Sequence, residues 1–511
     1  MTSGLARTKR LDDRPTEVAS SDLGRSASGW WALDRLRIPL WVSTLLGLVG
    51  YGGMVATGTQ LAPLPNQTGP WWFSLPVGHL GLLRILFYLA TVIAIVGWLG
   101  VGVAAWRGEL SLRATVVILA VWSVPLLIGP PNFSKDVYSY IGQGLIAHRG
   151  LNPYRVSPSV LGPGPLLNSI ASVWQKSPAP YGPFFVEIAR GITAVVGRSI
   201  VQEVLVMRAL EIAGMALMVA FVPRLAKQLG SDPGVALWLG VLSPLVLLSF
   251  MASGHNDCLM VGLMVAGVSL SLDGRRTVGL VLCSLGALIK APAAAAVLFL
   301  AVDELRLSER GRRMGAVVAK VIAVPLVTVV VVTLSSGLGW RWLQPQNLRI
   351  PAQLRIDATP TVSIGVAISR ILGLVRIHVS QAGTVTVVQA IGGVIAVAAA
   401  VWLIVNLRHD NVVRVLAVLL LVVVLAGPTL WPWYLTWGLV LLAATPSQRS
   451  RVLAIAAAFA MLLAGPVGTP QLAGYWYWVV SLATVAGCVW LASDRRWASA
   501  LLGRPANPMT Q

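Results

Sequence analysis

One carboxylate, Asp136, stands out because of where the sequence places it. It lies just past an apolar run, at the start of a long polar segment. An ionisable group at the edge of a membrane is costly to keep, so its presence indicates a function. The chain has only 19 Asp and Glu residues, and the charge pattern places most of them on the other membrane face. Asp136 is therefore the predicted catalytic base.

The residues around Asp136 are of types that bind carbohydrate. Tyrosine rings can pack on a sugar ring, and hydroxyl and ammonium groups can hydrogen-bond it. The predicted substrate contacts in this segment are Lys135, Tyr138, Tyr140, Tyr154 and Tyr181. Asp136 and the tyrosines could each have a structural role instead of a role in substrate binding. Asp136 would cap a helix that begins near Val137, and the tyrosines would belong to an interfacial aromatic belt.

A second polar cluster, His255-Asn256-Asp257, falls at a turn between two apolar runs. All three residues are predicted substrate contacts, and Asp257 would either hold the donor sugar or tune the base. The alternative is that Asp257 caps the next helix, because Asn and Asp are preferred caps. His255 is not expected to bind a metal ion, since no second histidine lies near it.

A lysine, Lys290, interrupts an apolar stretch and is followed by Pro292. The proline ends a helix, so residues 277–302 should form two short helices that meet at a break. A cation inside an apolar hairpin is costly unless it is paired, and a lipid-linked phosphate would be a suitable partner. The alternative is that the lysine reaches the membrane interface along its own methylene stem.

Two further groups complete the predicted site. Arg341, Arg349 and Arg355 make the loop 337–360 basic, and arginine forks suit phosphate, so they are predicted to bind the lipid phosphate together with Lys290. The alternative is contact with anionic headgroups. Trp433 and Tyr434 would line a sugar groove or else anchor the chain at the interface.

An intramembrane ion pair is also predicted. Arg208 and Glu211 lie three residues apart on one helix face, so we expect them to pair in a structural role.

Composition sets the fold class. Of the 511 residues, 56% are hydrophobic and 11% are charged, against about 25% charged in soluble proteins. Apolar runs recur along the chain, which predicts an all-α polytopic membrane protein of about 13–14 transmembrane helices. The helix 182–198 is not expected to cross. We expect a tail at 1–37, a transmembrane catalytic domain at 38–493 and a tail at 494–511.

Basic loops predict the orientation. Placing them in the cytoplasm also places both termini there. Three large loops, 59–79, 130–181 and 337–385, then face outside. The net charge of +20 is spread over many short loops, so no nucleic-acid partner is expected. The sequence has no phosphate-binding glycine loop and no zinc-type cluster, so we expect no cofactor and no metal site, although a divalent metal is not excluded.

These features together resemble the GT-C superfamily of membrane glycosyltransferases. Within it the chain is similar to actinobacterial polyprenol-phosphomannose-dependent α-1,6-mannosyltransferases of lipomannan and lipoarabinomannan synthesis. The similar stretches are 134–143, 149–158, 179–184, 254–266, the Lys290 hairpin and 432–434. The chain departs from the pattern in having a lone acid, Asp136, where paired acids are common, and in having Asp257 where a glutamate is common.

The resemblance implies a multi-pass plasma-membrane enzyme with an outward-facing GT-C-like active site. Its donor would be polyprenyl-phosphomannose and its acceptor a phosphatidylinositol-mannoside or mannan, with Asp136 as the catalytic acidic residue. The alternative functions are a GT-C enzyme for another sugar such as arabinofuranose, a flippase for lipid-linked sugars, and a non-catalytic scaffold. A flippase would show repeat symmetry and ionisable residues inside its spans, and the sequence shows no repeat.

Overall fold

The computed structural model describes residues 38–61, 79–196, 199–308, 314–344, 359–460 and 476–492. Regular structure in these ranges is helical, without strands. The described residues from Pro39 onward belong to one compact unit. The predicted domain limits at 37 and 493 fall at the edge of, or outside, the described residues and stay predictions.

The first half contributes α1 (Leu40–Leu61), α2 (Leu80–Trp106), α3 (Leu112–Ile128), α4 (Asp136–His148), α5 (Pro165–Ser169), α6 (Ser172–Gln175), α7 (Pro183–Val196), α8 (Ile200–Gln228), α9 (Pro233–Gly240) and α10 (Pro244–Leu247). The second half contributes α11 (Asp257–Leu272), α12 (Arg276–Ala287), α13 (Ala294–Leu307), α14 (Met314–Ser336), α15 (Pro360–Leu374), α16 (Gln381–Val405), α17 (Val412–Ala426), α18 (Thr436–Ala443), α19 (Gln448–Ala460) and α20 (Trp476–Ala492). Short turns of helix at Pro158–Leu161, Leu248–Ala252, Ala291–Ala293, Trp340–Leu343, His409–Asn411 and Pro432–Leu435 connect them.

The all-α membrane architecture is confirmed. Six described helices are long and apolar enough to cross a membrane: Leu40–Gly58, Leu80–Trp106, Ile200–Gln228, Met314–Ser336, Gln381–Val405 and His409–Ala426. Helix α9 and the segment Pro244–Ala252 qualify together, with a 46° bend between them. Large apolar side chains such as Leu334 and Val394 are exposed, as lipid-facing residues should be. The count of about 13–14 spans stays a prediction.

Helices α8 and α11 pack closely against each other. A Cβ added to Gly214 would lie 2.4 Å from the carbonyl oxygen of Cys258, and one added to Gly262 would lie 2.6 Å from that of Gly214. Glycine at both positions lets the two backbones touch, as small residues do between membrane helices.

The predicted break at Lys290 is confirmed. Helix α12 ends at Ala287, Lys290 is extended with φ −152°, and α13 begins at Ala294. Pro292 lies in the short turn between them, where its missing amide hydrogen breaks no helical hydrogen bond. The two helices pack against each other.

One of the predicted outer loops contains a helix. Within 337–385, residues 360–374 form α15, whose first turns are buried. This helix is apolar but has only 15 residues, fewer than the roughly 20 that a membrane span needs. Helix α15 packs closely on α16, because a Cβ on Gly365 would lie only 2.7 Å from the backbone of Val385.

Candidate active site

Asp136 is the first residue of α4, at the end of a tight turn. Phe133 has φ +70°, which costs a residue with a side chain about 1–2 kcal/mol. The amide of Asn132 donates to the carbonyl of Ala252 at 3.1 Å, and the amide of Asp136 donates to the Ser134 hydroxyl at 3.1 Å. The turn thus fixes the start of α4 beside the segment that leads to His255.

The helix begins where the capping alternative requires, but Asp136 does not cap it. Lys135 occupies the N-cap position, without a side-chain capping hydrogen bond. The Asp136 side chain is only 14% exposed. It is therefore available for a role in a shielded site.

The surroundings of Asp136 make it a better base than a solvated carboxylate. Burial raises its pKa to about 6. The charge of Lys290 and a hydrogen bond from Trp174 oppose this rise, and the charge of Asp257 adds to it. At neutral pH the group is still ionised, so it can accept a proton, and it binds that proton more tightly than an ordinary aspartate does.

His255 lies against Asp136 without carrying a charge. Its Nδ1 is 3.5 Å from Asp136 Oδ2, which is longer than a normal hydrogen bond. The imidazole is fully buried, and burial together with the charge of Lys290 holds its pKa well below the usual range. A neutral imidazole can orient the carboxylate or a substrate hydroxyl, but it cannot supply positive charge to the site.

Lys290 and Asp257 form a buried ion pair. Lys290 Nζ donates to Asp257 Oδ1 at 3.0 Å and Oδ2 at 2.8 Å, and the indole N–H of Trp437 donates to Oδ1 at 2.6 Å. The ammonium also lies 4.7 Å from the ring centre of Tyr434 and 5.6 Å from that of Trp437, within range of cation–π attraction. The capping alternative is therefore wrong, since Asp257 is the first residue of α11 and not its N-cap, and Lys290 is held by Asp257.

The ion pair holds a cation close enough to influence Asp136. Lys290 is 15% exposed and Asp257 is fully buried, and the charge of Lys290 acts on Asp136. Two of the three ammonium donors are used by Asp257, which leaves one for a ligand. No group of three or more His, Cys, Asp or Glu side chains in the described ranges could hold a metal ion.

Tyr140, Tyr181 and Asn256 lie together at the site. The Tyr140 hydroxyl donates to Asn256 Oδ1 at 3.3 Å, and the rings of Tyr140 and Tyr181 meet edge to face at 5.2 Å. The electrostatic influence of Asp136 reaches both tyrosines. The structure thus brings these three predicted contacts near Asp136.

Two of the predicted tyrosine contacts lie elsewhere. Tyr138 is two residues from Asp136 on a helix, so it points roughly 200° away, and it interacts electrostatically with Arg208 instead. Tyr154 is buried in a separate small cluster that includes Leu338. Their assignment as substrate contacts at this site is corrected.

The predicted phosphate-binding arginines are only partly described. Arg341 is exposed in the short helical turn Trp340–Leu343, which follows the segment that binds Asn152 through the Leu338 carbonyl at 2.7 Å. Arg349 and Arg355 lie outside the described residues. Lys135 is half-buried, and burial lowers its pKa.

Arg208 does not pair with Glu211 as expected. Its guanidinium donates to the carbonyl of Leu127, to that of Gly129 at 2.7 Å and to that of Ala252 at 3.4 Å. It therefore ties the end of α3, which leads to Asp136, to the segment that leads to His255. Arg208 is 2% exposed and acts as a positioning residue.

Two tryptophans of the site were missed in the sequence. Trp174 hydrogen-bonds Asp136, and Trp437 holds Asp257. Trp437 stacks on Tyr434 with ring centres 4.4 Å apart. The three-residue spacing of Tyr434 and Trp437 could have indicated that Trp437 faces the site. Nothing in the local sequence indicated Trp174.

Sequence comparison gives the family. Residues 44–306 match the model described as alpha-(1->6)-mannopyranosyltransferase, N-terminal domain, and residues 361–495 match the MptB C-terminal domain. Alpha-(1->6)-mannopyranosyltransferase A of Mycobacterium tuberculosis is 33% identical over 473 residues, which cover 89% of this chain and 90% of the relative. Alpha-(1->6)-mannopyranosyltransferase A of Corynebacterium glutamicum is 29% identical over 324 residues, covering 58% and 65%.

No solved structure matches the chain significantly. The two family models together cover most of the described helices, including every residue of the Asp136–Lys290 site. The expected resemblance is thus confirmed. This multi-pass membrane chain belongs to the alpha-(1->6)-mannopyranosyltransferase family of glycosyltransferases.

Proposed function

We propose that this chain moves mannose from polyprenyl-phosphomannose to a mannan acceptor built on a phosphatidylinositol-mannoside, forming an α-1,6 link. The reaction takes place at the extracytoplasmic face of the plasma membrane, and both termini lie in the cytoplasm. Family membership supports the sugar and the linkage. The observation that carries the mechanism is a shielded carboxylate, with its pKa raised to about 6, in the field of the half-buried Lys290.

Asp136 is the base in this reaction. It takes the proton of the acceptor 6-hydroxyl as that oxygen attacks C1 of the donor mannose. The bond between C1 and the phosphate oxygen breaks, and polyprenyl phosphate leaves with the electron pair. Attack from the face opposite the leaving group inverts the centre, so a β-linked donor gives an α-linked product.

Lys290 meets the charge that develops on the leaving phosphate. Asp257 holds the ammonium through two hydrogen bonds. The third N–H of the ammonium is therefore already oriented before polyprenyl-phosphomannose binds. A fixed charge of this kind stabilises a transition state without reorganising during the reaction. Arg341, Arg349 and Arg355 supply the further positive charge that a phosphate beside two carboxylates requires.

Replacing Asp136 by Asn tests the base. Membranes containing the variant are given labelled polyprenyl-phosphomannose and a short α-1,6-oligomannoside, and the product is analysed for linkage. General-base catalysis contributes roughly 10²–10⁴-fold, so a loss of that size is expected. Asp410→Asn, an exposed carboxylate paired with Arg408, is the matched control and should keep full activity.

The same assay separates the alternative functions. Near-normal turnover of Asp136→Asn would refute the base assignment. Transfer from a polyprenyl-linked pentose, but not from polyprenyl-phosphomannose, would refute the sugar assignment. Covalent transfer by the wild-type protein would exclude a flippase.

A further inference from the structure

Three rings form a continuous stack that starts at the base. His255, which touches Asp136, stacks on Trp433 with ring centres 3.8 Å apart and an interplanar angle of 24°. Trp433 stacks in turn on Trp431, with ring centres 4.8 Å apart and an angle of 12°. At these distances the rings of His255 and Trp431 would overlap if both lay on the same face of Trp433. They therefore cover its opposite faces.

This arrangement excludes a sugar from the faces of Trp433. The residue was predicted to line a sugar groove, but both of its faces are covered and it is buried. Its role is to connect His255 with Trp431. Trp431 is half-buried, and its only ring partner among the described residues is Trp433.

We propose that Trp431 is the platform for an acceptor sugar ring that lies one or more units away from the reactive hydroxyl. This inference rests on the proposed transfer to a mannan. The face of an indole ring is electronegative and attracts the electropositive C–H groups of a pyranose. The stack beneath Trp431 holds the ring in place, so little side-chain freedom is lost when a sugar binds.

The position of Lys290 assigns the platform to the acceptor rather than to the donor. The donor carries its phosphate and lipid next to the transferred mannose, and Lys290 marks the place of that phosphate. The rings that the ammonium contacts in the described part of the chain are Tyr434 and Trp437, not Trp431. A second sugar near the site therefore comes from the acceptor chain.

Steady-state kinetics with acceptors of different length test the proposal. Trp431→Leu keeps an apolar side chain but removes the flat face, and Trp431→Phe keeps a smaller face. With a long oligomannoside, we expect the Leu variant to raise the acceptor KM about tenfold, which corresponds to about 1.4 kcal/mol. The acceptor KM of Trp431→Phe should lie between those of the wild type and Trp431→Leu. In both variants kcat and the donor KM should stay within about twofold of wild type.

Two controls separate sugar binding from membrane anchoring. Trp340→Leu changes an exposed tryptophan outside the stack and should leave the acceptor KM unchanged. With a single mannoside as acceptor, the effect of Trp431→Leu should disappear, because no second sugar reaches the platform. An anchoring role would instead give the same effect with both acceptors.

Three results would overturn the inference. The first is an unchanged acceptor KM in Trp431→Leu with the long acceptor. The second is a fall in kcat alone, which would mean that Trp431 acts through the stack on Asp136. The third is an effect independent of acceptor length. Absence of any transfer by the wild-type protein would instead overturn the proposed function, and this inference with it.

Discussion

Replacing Lys290 by methionine removes the cation that holds Asp257 while keeping most of the side-chain volume. The fully buried carboxylate then retains, among the described residues, only the Trp437 donor at 2.6 Å. Two hydrogen bonds to a charged group contribute roughly 1.5–3 kcal/mol each, so the loss is roughly 3–6 kcal/mol. Breaking a buried ion pair by removing one partner costs about the same, roughly 3–5 kcal/mol.

Thermal unfolding in detergent, followed by tryptophan fluorescence, measures this loss without relying on activity. The control is Arg190→Met, which removes a pair with Glu187 at 3.4 Å whose side chains are 43% and 31% exposed. Exposed pairs contribute about 0–1 kcal/mol. The unfolding temperature of Lys290→Met should therefore fall well below that of Arg190→Met.

The double variant Asp257→Asn/Lys290→Met completes the test. Once the lysine is gone, a neutral amide at position 257 is easier to bury than a carboxylate. The double variant should thus lose less stability than the two single variants added together, by roughly 0.5–3 kcal/mol. Additive losses, or a Lys290→Met variant no less stable than Arg190→Met, would refute the claim that this pair holds the site together.

Three further outcomes are expected. Burial raises the pKa of Asp136 to about 6, so this carboxylate loses its charge as the pH falls through that value. The transfer rate, measured from pH 8 downward, should therefore drop near pH 6. A rate that stays constant down to about pH 5 would contradict the assignment of Asp136 as the base. A Cβ at Gly182 would lie 2.1 Å from the carbonyl oxygen of Leu288, so Gly182→Ala should displace the Lys290 turn and lower kcat. Gly191→Ala in the helix that follows, where a Cβ meets nothing within 4 Å, should not lower kcat, and equal activities would contradict the prediction. Arg208→Met leaves buried carbonyls without a donor, at about 1–3 kcal/mol each, and should lower the unfolding temperature by more than Gly191→Ala does.

Local signals were enough to predict the main helices and their breaks. Pro292 and the lysine two residues before it mark the end of α12, since a proline cannot continue a helix and a charge cannot lie in lipid. The start of α4 near Val137 was predicted from the sequence in the same way. These features depend on neighbours in sequence, and the structure has them where the pattern predicts.

The helical period explains which tyrosine of α4 lies near Asp136. Asp136 and Tyr140 are four residues apart and share a face of α4, whereas Tyr138 lies on the other side. An ordered loop, which has no such period, would allow all three side chains to face one ligand. The spacing of two and four residues is enough to separate Tyr138 from Tyr140 once the segment is taken as a helix.

Contacts between distant helices could not be read from the chain. Asp257 and Lys290 were both singled out, but as a substrate contact and as a phosphate ligand rather than as partners of each other, because 33 residues separate them and nothing local joins them. The predicted pairing of Arg208 failed for the opposite reason, because it relied on closeness in sequence. Glu211 is its neighbour in sequence, but the carbonyls of two helix ends satisfy it better.

The direct backbone contact between α8 and α11, at Gly214 and Gly262, has a consequence for the lipid surroundings. These helices carry Arg208 and Asp257, and at the two glycines no side chains lie between the backbones that could repack. When the bilayer becomes thinner or thicker, helices adjust by tilting, and this pair should tilt as one rod. We expect the rate of mannose transfer to depend only weakly on acyl-chain length in reconstituted vesicles.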